Sequence, residues 1–153
     1  MKIDATAVSQ KRTIILLANR FDACLAVASI KQLRESGIAV LIVGQTADLV
    51  RDINGIKLRT DKSLSDLAPL SEDKLLILPG DKAFVASLLT DPRVHNLIKS
   101  ITNENGYVLV SDTVRPLFER WAGKRPLSPA WLMNFAYNDT QAIAPELIDF
   151  LVC

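Results

Sequence analysis

The sequence predicts a doubly wound α/β domain, a mostly parallel sheet sandwiched by helices, and three observations carry that expectation. The longest apolar runs are continuous rather than alternating, the pattern of strands covered on both faces. Segments with a helical apolar stripe stand between those runs. Strand, helix and strand follow one another within about thirty residues, the length of a βαβ unit with its right-handed crossover.

The elements follow in order. Thr13-Ile14-Ile15-Leu16-Leu17-Ala18 is the first buried strand. A helix starts near Asp22, places Ala23, Val27, Ile30 and Leu33 on one stripe, and stops at Gly37, a glycine of the kind that ends helices. Ile38-Ala39-Val40-Leu41-Ile42-Val43 is the second strand. The stretch from Val50 to Leu67 is polar, and Asn54-Gly55 signals the turn of a small hairpin. Leu75-Leu76-Ile77-Leu78 is the next core strand and runs into Pro79-Gly80. Helical segments are expected from Ala83 to Leu89 and from Asp91-Pro92 to about Asn103. Tyr107-Val108-Leu109-Val110 is the fourth strand, and a helix begins near Val114. Past Phe118 the pattern weakens until a short closing helix, Pro145 to Leu151, with proline in its first turn.

Composition narrows the function classes. A chain of 153 residues, 49% hydrophobic and 23% charged, is a single domain able to bury one core without staples. Eighteen basic against seventeen acidic side chains leave a formal charge of +1 with no basic block, so neither nucleic acid nor an anionic membrane is an expected partner. Cys24 and Cys153 form neither a metal-type spacing nor a disulfide framework, which fits a reducing, cytoplasmic compartment. The apolar run Ile14 to Ala18 is too short for a signal peptide or a membrane span, and the first twelve residues read as a loosely held tail. No Gly-rich phosphate loop is present.

The most informative stretch is Tyr107-Val108-Leu109-Val110-Ser111-Asp112-Thr113-Val114-Arg115. A buried strand that ends on small polar residues before a helix presents a side chain at the carboxyl edge of the sheet, where open α/β sheets place their chemistry. Leu16-Leu17-Ala18-Asn19 with Phe21-Asp22, then Ala26-Val27 and Leu33-Arg34-Glu35-Ser36-Gly37, resemble the opening strand and helix of the PfpI/ThiJ family. That family belongs to the class I glutamine-amidotransferase-like superfamily, with a flavodoxin-like fold. Leu76-Ile77-Leu78-Pro79-Gly80 is similar to its second signature, a strand entering a Pro-Gly-Gly turn, and Gly106 to Asp112 falls where the family has its nucleophile elbow. The resemblance runs from about Thr13 to Pro129.

The resemblance implies a cysteine at the elbow, but the matching residue is Asp112, preceded by Ser111. The acidic partner of that cysteine matches Leu25, which can neither share a proton nor tune a pKa. The second glycine of the Pro-Gly-Gly turn matches Asp81, a carboxylate where an oxyanion would need donors. The histidine found in many members matches Ser128. The pocket set is therefore Leu25, Asp81, Ser111, Asp112, Arg115 and Ser128, with no catalytic residue, metal or cofactor assigned.

Each candidate has a plainer role. Asp112 or Ser111 would cap the following helix, although carboxylates at such elbows also serve as nucleophiles when a base activates water. Asp81 would cap the helix from Lys82, or join Asp112 around a cation. Arg115 would pair with either acid or receive an anion. Trp121, Trp131, Phe135 and Tyr137 would cover the core or a dimer contact. His95 reads as a surface or half-buried histidine. The resemblance thus implies a catalytically degenerate protein that binds a small molecule or a partner, with a homodimer expected because relatives commonly dimerise. The competing reading is a hydrolase or lyase, amidase-, protease- or glyoxalase-like, using Asp112 on a small carbonyl or amide substrate.

Overall fold

The computed structural model describes residues 11–46, 48–122, 131–136 and 142–152. Its elements are β1 (Arg12–Leu17), α1 (Ala23–Glu35), β2 (Ala39–Gly44), β3 (Leu49–Arg51), β4 (Lys57–Arg59), β5 (Lys62–Ser63), β6 (Asp73–Ile77), α2 (Lys82–Leu88), α3 (Pro92–Asn103), β7 (Tyr107–Val110), α4 (Arg115–Ala122), β8 (Leu132–Asn134) and α5 (Pro145–Val152). A 3-10 turn (Leu64–Asp66) follows β5.

Six strands form one sheet in the order β5-β2-β1-β6-β7-β8, and every pairing in it is parallel. Ile14 to Leu17, Leu75 to Leu78 and Val108 to Val110 are fully buried along their whole length. Since successive side chains point to opposite faces, both faces of the sheet are covered, as the continuous apolar runs require. With the right-handed crossovers such units take, α1 lies on one face and α3 on the other. The side chain of Gln32 on α1 takes the N–H groups of Ala142 and Ile143 (3.1 and 3.0 Å) and donates to the Ile143 carbonyl (2.8 Å), which fixes the approach to α5 on the α1 side. No described helix is long and apolar enough to cross a membrane.

Local chemistry sets the helix ends. Asp22, Asp81 and Asp91 cap α1, α2 and α3 by accepting from the N–H groups of Leu25 (3.1 Å), Phe84 (2.9 Å) and Arg93 (2.9 Å). Gly37, at φ +77°, closes α1 with the Ile38 N–H on the Leu33 carbonyl (3.0 Å), the left-handed stop the sequence signals. The expected hairpin is β3–β4, and the Asp52 carboxylate holds its turn through the N–H groups of Asn54 and Ile56, each at 2.8 Å.

Two expectations need correction. Lys11 and Arg12, read as tail, are tied down: Lys11 donates to the Phe150 carbonyl (2.6 Å), and Arg12 opens β1 with its guanidinium on Asp73 (2.5 and 3.1 Å). The strands β5 and β8 were not expected, because segments of two and three residues show no periodicity. The helix after the elbow begins at Arg115, in line with the expected start near Val114. Tyr137 and Cys153 lie outside the described residues.

Candidate functional site

The chain leaves β1 toward β2 in one direction and leaves β6 toward β7 in the other, so the topological switch point lies between β1 and β6. Ligands of open α/β sheets bind at the carboxyl edge beside such a point. The loops there are 18–22, 78–81 and 111–114. The first two are tied by the Asp22 N–H on the Pro79 carbonyl (2.8 Å). Gly80 is required at the second, because a Cβ there would stand 2.3 Å from the ring of Phe84, which is buried against the turn.

The residues singled out from the sequence meet different fates at this edge. Leu25 is half-buried in the first turn of α1 and packs on the core. Asp81 is exposed, and its carboxylate caps α2 as expected. Ser111 is buried at 7% exposure, and its carbonyl accepts the N–H groups of Val114 (2.9 Å) and Arg115 (3.2 Å). Ser128 lies outside the described residues.

Asp112 departs from its expected role. Its carboxylate is exposed and takes no hydrogen bond among the described residues, while the N–H groups of the following turn go to backbone carbonyls of Ser111 and Asp112. A cap must sit next to the first helical turn, and α4 starts three residues on, at Arg115. The backbone there is also not left-handed: among the described residues the non-glycine ones at positive φ are Arg20 (77°) and Asn105 (63°), not Ser111 or Asp112. A nucleophile elbow ordinarily holds its residue in a strained turn.

Arg115 pairs with neither acid. Its guanidinium reaches the Leu132 carbonyl (3.1 Å) and the Asn134 side chain (3.0 Å) on β8, and meets Glu119 at 3.4 Å. The cation thus fastens the edge strand to α4. Trp131 and Trp121 meet the buried ring of Phe118 edge-on at 5.7 and 5.3 Å, and Phe135 is buried, so these aromatics cover the core. No group of three or more His, Cys, Asp or Glu suited to a metal occurs among the described residues.

A second polar cluster at this edge escaped the sequence reading, which took Asp91-Pro92 only as a helix start. The Asp91 carboxylate accepts from the Arg93 guanidinium (3.1 and 2.8 Å) and from the Gln45 side chain (3.2 Å), while Arg93 also reaches the Gln45 carbonyl (3.3 Å). The Arg93 hydrogen bonds, against a smaller opposing effect of burial, hold the Asp91 carboxyl well below the usual carboxylate range. A carboxyl depressed on folding adds stability above its unfolded pKa of about 3.9, and that stability disappears as pH falls through the folded value. Asp91→Ala is therefore expected to cost about 1–2 kcal/mol at pH 7, as a lost cap with a half-exposed pair. Urea unfolding should show the gap to wild type narrowing below pH 4; a gap independent of pH would refute the assignment.

The DJ-1/PfpI family pattern matches residues 11–110, about two-thirds of the chain and up to the last residue before the Ser111-Asp112 turn. The chain belongs to the DJ-1/PfpI family. The fold agrees with that membership. A cysteine-to-alanine mutant of a DJ-1 superfamily protein from Salmonella typhimurium superposes with a TM-score of 0.65 at 17% identity, over 94% of this chain and 87% of that one. Drosophila melanogaster DJ-1beta gives 0.65 at 15% identity, over 93% and 86% of the two chains. Schizosaccharomyces pombe DJ-1 gives 0.61 at 15%, over 92% and 87%. At these identities the likeness speaks for the fold alone. No curated protein matches the chain in sequence.

Proposed function

We propose that this DJ-1/PfpI-family chain is a catalytically degenerate member, a non-enzymatic module that binds a small molecule or a protein partner at the carboxyl edge of its sheet. The observation that carries the reading is the state of Asp112: exposed, outside the left-handed backbone region, with no hydrogen bond to its carboxylate among the described residues. A carboxylate nucleophile needs a positioned base and donors for the developing oxyanion. At the two neighbouring positions the resemblance points to, this chain places Leu25, packed on the core, and Asp81, committed to a helix cap. Asp81 and Asp112 make the edge acidic while Arg115 is engaged on β8, which favours a neutral or cationic ligand over an anion. The exposed Cys24 is a free thiol, in keeping with a reducing, cytoplasmic setting.

The test is an assay of esterase, amidase and glyoxalase substrates with wild type and Asp112→Ala. Neither should exceed background, and the substitution should change unfolding stability by less than about 0.5 kcal/mol, the range of ordinary surface changes. Turnover by wild type that Asp112→Ala abolishes would restore the enzyme reading.

The homodimer belongs to the same proposal. Val27 on α1 and Ile53 and Ile56 at the β3–β4 hairpin are each more than half exposed in the single chain, and such side chains are what a second copy would cover. Ile53→Glu combined with Ile56→Glu is expected to convert a dimer to a monomer in light scattering. A wild-type monomer at all concentrations would dispose of the dimer.

A further inference from the structure

His95, the chain's one histidine, sits half-buried in the first turns of α3 with its ring between two other helices. Its Nε2 lies 2.5 Å from the Leu89 carbonyl oxygen at the end of α2. The same nitrogen lies 3.3 Å from Trp121 Nε1 on the last turns of α4, and the two rings meet edge-on with centroids 4.9 Å apart. A carbonyl oxygen only accepts and an indole N–H only donates, so a single imidazole nitrogen cannot serve both at once. With a proton, Nε2 donates to Leu89; without one, it accepts from Trp121.

We propose that His95 is a proton-operated latch on α4. In the neutral ring carrying its proton on Nδ1, the bare Nε2 holds the Trp121 indole. The imidazolium carries a proton on both nitrogens, has no acceptor left, and keeps its Nε2–H on the Leu89 carbonyl beside it, releasing the indole. Water supplies and takes back the proton, and no covalent bond changes. A carbonyl at a helix end is a favourable partner for the cation.

The surroundings leave this exchange uncontested. On α3, the Asp91 carboxylate one turn earlier is occupied by Arg93, the His95 N–H goes to the Asp91 carbonyl, and Lys99 one turn later is exposed. On α2 the last turn carries no basic residue, and Lys82 lies in the first. On α4, Glu119 is paired with Arg115 and Arg120 is exposed. None of these groups hydrogen-bonds the imidazole among the described residues. Because α4 follows directly on the Ser111-Asp112 turn, the latch links pH to the helix that backs the elbow. This inference stands independently of whether the elbow is catalytic.

The experiment follows the Trp121 indole N–H and the His95 ring protons by NMR in the full chain from pH 5 to 8, the range in which histidine ordinarily titrates. The Trp131→Phe background leaves one tryptophan of the two. If that background folds poorly, wild type gives the same reading from two indole signals. The Trp121 signal should move on one titration curve with the midpoint of the His95 ring, with tryptophan fluorescence following it. In His95→Gln, which keeps a donor and an acceptor but does not titrate, both should be flat. A Trp121 signal that stays flat while His95 titrates, or that titrates unchanged in His95→Gln, overturns the latch.

Discussion

Phe118→Ala is expected to lower the free energy of unfolding by about 3–5 kcal/mol, the largest loss of any single change considered for this chain. Phe118 has no exposed surface and is met edge-on by Trp121 and Trp131. Truncation removes the burial of a full aromatic ring, leaves a cavity the sheet cannot close, and dissolves two ring pairs worth about 0.5–1.5 kcal/mol each beyond their area. At this chain length each kcal/mol moves the melting temperature by about 2–4 °C, so a fall on the order of 10 °C is anticipated. Urea unfolding monitored by circular dichroism measures it. A loss below about 1 kcal/mol would mean that the aromatic cluster is not the core of the α4 side.

The second large effect is expected at the opposite edge of the sheet. Asp73 is 1% exposed; it accepts two hydrogen bonds from Arg12 and the Leu70 N–H at 2.8 Å. Asp73→Ala strands a guanidinium whose side chain is only 21% exposed and leaves the Leu70 N–H unpaired. Removing one partner of a buried pair costs about 3–5 kcal/mol, and the residual exposure of Arg12 places this case near the lower bound. The pair would act as a unit, so the double change Arg12→Ala with Asp73→Ala should cost less than the sum of the singles. A double-mutant cycle measures that coupling, and additivity within about 0.5 kcal/mol would show the two side chains to be independent.

How much of this was legible follows from distance along the chain. The four long strands were readable because burial on both faces writes an unbroken apolar run, as at Ile14 to Leu17. The helix starts at Asp22 and Asp91 and the cap at Asp81 were readable because each acts within three residues. Arg12 with Asp73 and Gln32 with Ile143 join positions 61 and 111 residues apart, and no local pattern announces them. The site shows the same divide. The sequence located the turn at Ser111-Asp112, but not that its N–H groups close on the backbone carbonyls of Ser111 and Asp112 and leave the Asp112 carboxylate out, nor the three-residue β8 that draws Arg115 away from it. The Asp91, Arg93 and Gln45 cluster went unread because its partners come from two loops brought together only at the sheet edge.

The cap at Asp81 bears on any attempt to install cysteine chemistry in this scaffold. Glycine at position 81 would free the turn for an oxyanion but leave the Phe84 N–H without its acceptor, at roughly a few tenths of a kcal/mol. An acid at position 25 would take an apolar side chain off the core in the first turn of α1. An engineered enzyme would therefore begin less stable than its parent before any rate is gained, and a library aimed at activity should be built on a previously stabilised background.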